Sequence, residues 1–350
     1  MALDVAILGI GLLVILVGAE LFTNGIEWFG HHLDLAEGAV GSVLAAVGTA
    51  LPETMIPIIA ILFATGDGGE EIGVGAILGA PFMLATLAMF VTGAAVLYRR
   101  RRTSTTEMDV DPGVLRHDLR YFAVCYALAI GVALLPPELG AVRVIVAIGL
   151  LGIYAWYVKA HLQADADVDA DGLAPLRFHR LDRRHRASAT GDAPPRLRIV
   201  NVQVVVALAC IVLGAYAFVD AVGAVAGTLG VDQALLALVI APIATELPEK
   251  FNSIIWIRQG KDTLALGNIT GAMVFQSAIP TVVALLFAGA AWHISDGSLL
   301  AFASAGIAFL SVFVIFGLGG RVALDGRRLL LGGVMYVAYV GLVVAQLAGT

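Results

Sequence analysis

The chain has 350 residues, 59% of them hydrophobic and 14% charged, with a mean hydropathy of +0.92. That balance excludes an ordinary soluble domain, in which roughly a quarter of residues are charged. A formal net charge of −6 also argues against a nucleic-acid partner, since that class of binding needs a net basic surface.

A membrane-crossing helix needs about 20 predominantly apolar residues, and ten stretches are expected to supply one. They are 3–22, 38–64, 71–98, 119–136, 139–158, 199–222, 232–257, 263–291, 298–317 and 328–348. The first lacks a basic leading region and a small-residue cleavage pattern, so it is expected to be a retained helix and not a signal peptide. The second holds "AVGTALPETMIPI" (46–58), and the third opens with "GVGAILGAP" and ends in the basic run "YRRRRT". Cys125 and Cys210 fall inside the fourth and sixth stretches, where a thiol serves as a small hydrophobe and no disulfide is implied. A polar connection over 159–198 carries both "ADADVDADG" and "RFHRLDRRHR". The seventh stretch holds "APIATELPEKFNS" (241–253), and the eighth begins with "GNITGAM". Basic residues follow the third, fifth, seventh and ninth stretches, while "ATGDGGEE", "LLPPELGA" and "WHISDGS" on the alternate side are nearly free of them. By the positive-inside rule both termini should lie outside the cell membrane. Glu20 and Asp220, with Asn24 aligned to Asp220, are expected near the inner ends of the first and sixth spans, solvated at the interface, with a place on the ion entry path as the alternative.

Sliding the chain on itself by 196 positions superposes Leu12 on Leu208, Ile15 on Ile211, Gly18-Ala19 on Gly214-Ala215, Phe22 on Phe218, Thr49 on Thr245 and Leu51-Pro52-Glu53 on Leu247-Pro248-Glu249. After "GDGGEE" the offset becomes 192, and Gly75 and Gly79 fall on Gly267 and Gly271. The expected fold is therefore an all-α polytopic membrane protein of about ten helices in two five-helix repeats, residues 1–158 and 199–350, joined by a linker at 159–198. An odd number of spans per repeat inverts the second copy, an arrangement in which transporters place their site at the repeat interface near the bilayer midplane.

Each repeat brings the same chemistry to that interface. Thr49 and Glu53, like Thr245 and Glu249, are four apart and share a helix face. The intervening proline has no N–H, so within a helix the carbonyls of Gly48 and Ala244 lose their donors and need another partner in hydrocarbon. Two carboxylates, two hydroxyls and freed carbonyls make an all-oxygen shell of the kind hard cations such as calcium and sodium prefer. Asn268, beside Gly267, adds a side-chain oxygen that serves either as a further ligand or in an interhelical hydrogen bond. Glu246 and Lys250, four apart, either neutralise each other structurally or set ion selectivity and coupling.

"GTALPE" and "ATELPE", followed by "GAILGAP" and "GNITGAM", resemble the alpha repeats of the cation/calcium antiporter superfamily, nearest its sodium/calcium exchanger branch. The resemblance covers nearly the whole chain, with the two motifs at about 46–82 and 241–275. It implies ten helices, a central site on the second, third, seventh and eighth, and alternating access in which two helices slide past the rest. It matches Glu53 and Glu249 to calcium-binding carboxylates, and Thr49 and Thr245 to hydroxyl or carbonyl ligands. The chain departs from the family pattern at Ala50 and Glu246, where serine follows each threonine. It departs again at Ala76, Ala80-Pro81 and Ala272-Met273, so most of the side-chain oxygens that resemble sodium ligands are missing.

The expected function is calcium antiport against sodium or protons, with a sodium-independent calcium/proton or other cation/proton exchanger as the alternative. A glutamate-dependent intramembrane hydrolase is the enzyme-class rival, and a passive channel is another. All seven histidines lie in loops or at span ends and no H-E-x-x-H occurs, which argues against a zinc hydrolase. No cofactor is expected. The expected partners are inorganic cations and the lipid bilayer, without nucleic acid or an obligatory protein partner.

Overall fold

The protein is described by a computed structural model covering residues 2–32, 50–64, 68–103, 105–164, 175–181, 195–230, 236–238, 250, 253–254, 256–258, 260–295, 298–317 and 324–349. Its named elements are helices. They are α1 (Ala2–His32), α2 (Leu51–Phe63), α3 (Gly69–Met83), a π-helical turn (Leu84–Ala88), α4 (Met89–Thr103), α5 (Pro112–Ala133) and α6 (Gly140–Ala164). After a 3₁₀ turn (Arg177–Leu181) come α7 (Leu197–Leu229), α8 (Asp262–Phe287), α9 (Leu299–Phe316), the short α10 (Gly326–Leu329) and α11 (Leu331–Gly349). An isolated antiparallel bridge joins Glu107 to Asp325.

Among the described residues seven helices are long and apolar enough to cross a membrane: Ala2–Ile26, Gly69–Arg99, Gly140–Ala160, Leu197–Leu229, Ala265–Phe287, Leu299–Phe316 and Gly326–Gln346. They coincide with the first, third, fifth, sixth, eighth, ninth and tenth expected spans. The second expected span appears as the shorter apolar helix Glu53–Phe63, with 33–49 outside the described residues, and most of the seventh, 232–257, also lies outside them. The fourth differs. Its helix starts at Pro112, seven residues before the expected 119, because Asp111 caps it by accepting a hydrogen bond from the Gly113 N–H at 2.6 Å while Pro112 occupies the first turn. The early start brings Arg116 and Asp118 into the helix ahead of Arg120, and the helix is therefore less apolar than the other spans.

Burial sorts the spans. The apolar windows of Gly69–Arg99 and Ala265–Phe287 are 83% and 78% buried, against 28% for Ala2–Ile26 and 22% for Gly140–Ala160. Helices that are apolar all round and enclosed form the protein core, and those apolar but open present their outer faces to lipid. α3 and α8 are thus central, and residues of α3, α4, α5, α8 and α9 share the main core cluster.

Among the described residues α1 and α7 form the most extensive helix pair. A Cβ placed on Gly11 would lie 3.1 Å from the Gly214 carbonyl oxygen, and one on Gly18 would lie 3.0 Å from that of Ala207. Rising numbers on α1 meet falling numbers on α7, so the helices run antiparallel. Under the 196-residue shift Gly11 corresponds to Ala207 and Gly18 to Gly214. The contacts therefore exchange as a two-fold relation requires, position i of one copy touching position j of the other and j touching i.

The loop ends meet in two groups. Arg99 at the end of α4 makes a bidentate ion pair with Asp262 at the start of α8, with Nη2–Oδ2 at 2.8 Å. The Asp111 N–H donates to Thr263 Oγ1 at 2.9 Å, and the Met108 and Gly326 N–H groups donate to the carbonyls of Leu324 and Thr106. The connections following the third, seventh and ninth expected spans, all basic, are thereby gathered at one end. At the opposite end Arg143 donates to the carbonyls of Gly289 and Trp292, and the Ile294 N–H to that of Ala133.

Candidate functional site

The site begins at α2. Pro52 sits in its first turn, where a missing N–H costs no helical hydrogen bond. The described helix starts at Leu51, so Glu53 lies in its first turn, near the positive end of the helix dipole. The Gly48 carbonyl, which Pro52 is expected to deprive of its donor, lies outside the described residues. Glu53 is 6% exposed and both its carboxylate oxygens are buried. The Thr54 hydroxyl donates back to the Ala50 carbonyl at 2.8 Å.

A second proline, Pro57, lies inside α2. Four residues earlier is Glu53 itself, so Pro57 cannot donate to the Glu53 carbonyl. The second repeat has Ser253 at this position, fully buried, with its hydroxyl donating to the Ala265 carbonyl at 3.3 Å. The two half-sites therefore differ in backbone as well as in side chains. This signal was present in "LPETMIP" and was not used in the sequence reading.

Of the other expected ligands, Gly48, Thr49, Ala244, Thr245 and Glu249 lie outside the described residues, as does Glu246. Lys250 is described, on helical backbone and 5% exposed, so an ammonium is buried one residue beyond the second glutamate. Asn268 is half-buried on α8, and its amide nitrogen is buried without a hydrogen-bond partner among the described residues. α8 packs against α2, α3, α5 and α6.

Gln276, also on α8, was missed in the sequence. It is 1% exposed and its side-chain oxygen has no hydrogen-bond partner among the described residues. Pro280, inside the same helix, cannot donate to the Gln276 carbonyl four residues earlier. Both oxygens of Gln276 are thus deprived of their ordinary partners in a central helix. The signal was a glutamine followed four residues later by a proline in an apolar run. At the positions where the family pattern carries oxygens, Ala50, Ala76, Ala80 and Ala272 are buried methyls.

Asn24 and Glu20 separate in the structure. Glu20 is exposed and pairs with Arg177 at 2.8 Å, and Asp220 is exposed, as expected. Asn24 is buried: its side-chain oxygen accepts from the Arg177 N–H at 2.9 Å and from Gln203 at 3.0 Å. Gln203 in turn accepts from the Phe178 N–H. These bonds fasten the 3₁₀ turn of the linker across α1 and α7.

Comparison with known proteins places this arrangement. The chain is 25% identical over 280 residues to the inner membrane protein YrbG of Escherichia coli (strain K12), covering 80% of this chain and 78% of that protein. It is 24% identical over 271 residues to the putative antiporter CaxA of Alkalimonas amylolytica, covering 76% and 75%. Among solved structures it resembles the H+/Ca2+ exchanger CAX with a TM-score of 0.72, 16% identity, and 99% and 87% of the two chains covered. It also resembles the sodium-calcium exchanger NCX_Mj soaked with Na+ and Sr2+, with a TM-score of 0.54, 16% identity, and 97% and 98% covered. At these identities the two structures speak for a common fold. The description that fits both repeats is "sodium/calcium exchanger protein", matched over residues 3–162 and 200–348 on either side of the linker, and the chain belongs to that family.

Proposed function

We propose that the protein is a secondary active antiporter that moves calcium across the cell membrane in exchange for protons or sodium, by alternating access at a centre built on Glu53 and Glu249. The observation that carries this reading is the buried carboxylate of Glu53 at a helix start inside an apolar bundle. An intramembrane carboxylate is costly and marks an ion path far more often than it stabilises a fold. The membership of an exchanger family supplies the reaction class. In this reading ten helices form two inverted repeats with both termini outside. Thr49, Thr245, Asn268 and the carbonyls of Gly48 and Ala244 complete the oxygen shell, with Gln276 as an added candidate.

Proton coupling is favoured over sodium coupling by the methyl groups at Ala50, Ala76, Ala80 and Ala272. A sodium ion needs several oxygens to replace its hydration, whereas a proton needs one carboxylate. The overall likeness to a proton/calcium exchanger points the same way. The deciding experiment is calcium uptake into proteoliposomes under proton, sodium or potassium gradients imposed one at a time. Uptake driven by the proton gradient alone is expected. Uptake driven only by sodium would overturn the coupling assignment, and calcium flux with no counter-ion would overturn antiport.

A further inference from the structure

Besides Glu53, two carboxylates are fully or nearly fully buried among the described residues, and they are held in opposite ways. Asp262 is neutralised by Arg99. Asp118, in the second turn of α5, is 0% exposed and is held by two neutral hydroxyls. Tyr157 of α6 donates to Asp118 Oδ1 at 3.0 Å, and Thr270 Oγ1 of α8 lies 2.6 Å from Oδ2.

Thr270 has one hydroxyl hydrogen and two acceptors within reach, Asp118 Oδ2 and the Leu266 carbonyl at 3.0 Å. With Asp118 ionised, Tyr157 and Thr270 both donate to the carboxylate. With Asp118 protonated, its Oδ2–H donates to Thr270 Oγ1, which turns its own hydrogen to Leu266, while Tyr157 still donates to Oδ1. Every hydrogen has an acceptor in either state, and the two differ by one proton taken from water. Within hydrogen-bond distance the Asp118 carboxylate meets two neutral hydroxyls, where Asp262 meets a guanidinium.

A route for the proton is present. His117 Nδ1 is 3.9 Å from Asp118 Oδ1 and its side chain is 32% exposed. Its ring stacks on Tyr157 at 5.4 Å and packs against Tyr121 at 4.6 Å. The groups facing Asp118 are few. α6 brings Tyr157, with Tyr154 behind it; α5 brings His117 and Tyr121; α8 brings the neutral Thr270; and α9, which also packs on α5, has no titratable side chain. Asp262, the charged residue of α8, lies about two turns nearer the basic-loop end and is held by Arg99.

We propose that Asp118 is a proton-binding site distinct from the paired-glutamate centre, loaded from the basic-loop end through His117, and that α8 reads its state through Thr270. Thr270 and Gln276 are six residues apart, about 240° around the helix, so Asp118 and the candidate ligands hold different flanks of one helix. A proton on Asp118 reverses this hydrogen bond and turns a charge-assisted contact into a weaker neutral one, which loosens the tie between α5 and the helix that carries Asn268 and Gln276. Proton binding itself does not depend on the proposed antiport; its effect on transport does.

The test uses the full chain in lipid. Infrared titration of the wild type should show a protonated-carboxyl C=O stretch growing as pH falls, of which one component is lost in Asp118→Asn. In proteoliposomes the same variant should lose the dependence of calcium uptake on pH at the basic-loop end. Should Asp118→Asn not fold, Thr270→Val serves, because it removes one hydrogen-bond partner and should shift the frequency of that component. A band set identical in wild type and variant overturns the proton site. Loss of the band component with a wild-type uptake profile overturns the coupling to transport. If calcium uptake is absent altogether, the antiport reading fails while the infrared result still decides the proton site.

Discussion

The α1–α7 seam offers a perturbation whose size follows from distances. A methyl at Gly18 would lie 2.9 Å from Ile211 Cγ1, 3.0 Å from the Ala207 carbonyl oxygen and 3.0 Å from Cys210 Cβ. Favourable carbon contacts lie at about 3.5–4.0 Å, so the neighbours must yield by about half an ångström or more, and the Ala207 carbonyl cannot rotate away. Overpacking of this kind costs about 1–3 kcal/mol, against a gain of about 1 kcal/mol in helix propensity for alanine over glycine. Gly18→Ala should therefore come out between neutral and about 2 kcal/mol destabilising. Gly9 has nothing within 4 Å, and Gly9→Ala should stabilise by up to about 1 kcal/mol. The difference between the two variants isolates the packing term, and reversible unfolding in mixed micelles would measure it. Gly214→Ala is the symmetry control. Its methyl would meet Ile15 Cγ1 at 2.8 Å and the Gly11 carbonyl oxygen at 2.9 Å, so it should cost as much as Gly18→Ala. Equal stabilities for Gly9→Ala and Gly18→Ala would refute the close approach, and a harmless Gly214→Ala beside a costly Gly18→Ala would refute its two-fold character.

Three further outcomes are expected. Arg99→Met strands the buried Asp262 carboxylate and should destabilise by about 3–5 kcal/mol; adding Asp262→Asn, which still accepts from the Asp109 N–H, should recover part of that loss in a double-mutant cycle, and additive effects would mean that the pair is not coupled. Glu53→Gln should abolish calcium uptake while leaving elution and melting close to wild type, and retention of wild-type flux would remove Glu53 from the site. Glu246→Ala should leave the buried Lys250 ammonium to repel calcium, so the double change Glu246→Ala with Lys250→Thr should bind calcium more tightly than Glu246→Ala alone; equal affinities by titration calorimetry would make the two residues independent.

Seven of the expected spans were legible because a 20-residue apolar run has few other uses, and the repeat was legible because identical residues recur at an offset of 196 that shifts once, to 192. What misled was local backbone chemistry. Proline reads as a helix interruption wherever it falls in an apolar run, yet Pro52 lies in the first turn of the described helix, whereas Pro57 and Pro280 lie inside helices. Their effect lands on Glu53 and Gln276, four residues back, and is visible only once the helix start is known. The same uncertainty hid Asp118. An apolarity scan starts the fourth span at 119, immediately after it, and leaves Arg116 and Asp118 in a loop. The cap at Asp111-Pro112 was the opposing signal, and it moves both into the helix.

The symmetry that exposed the repeat also explains where selection among ions has to act. Two copies related by a two-fold axis would build equivalent half-sites, and a pair of identical half-sites has no means of favouring one coupling ion beyond what each copy already does. The chain breaks the equivalence at Ala50 against Glu246, Thr54 against Lys250, Pro57 against Ser253 and Leu84 against Gln276. In all four the second repeat carries the more polar side chain. At the positions where the first repeat has Ala50, Thr54 and Leu84, the second has Glu246, Lys250 and Gln276. In the proposed centre the two repeats are therefore chemically unequal, and ion choice should follow substitutions in the second repeat more closely than the equivalent ones in the first.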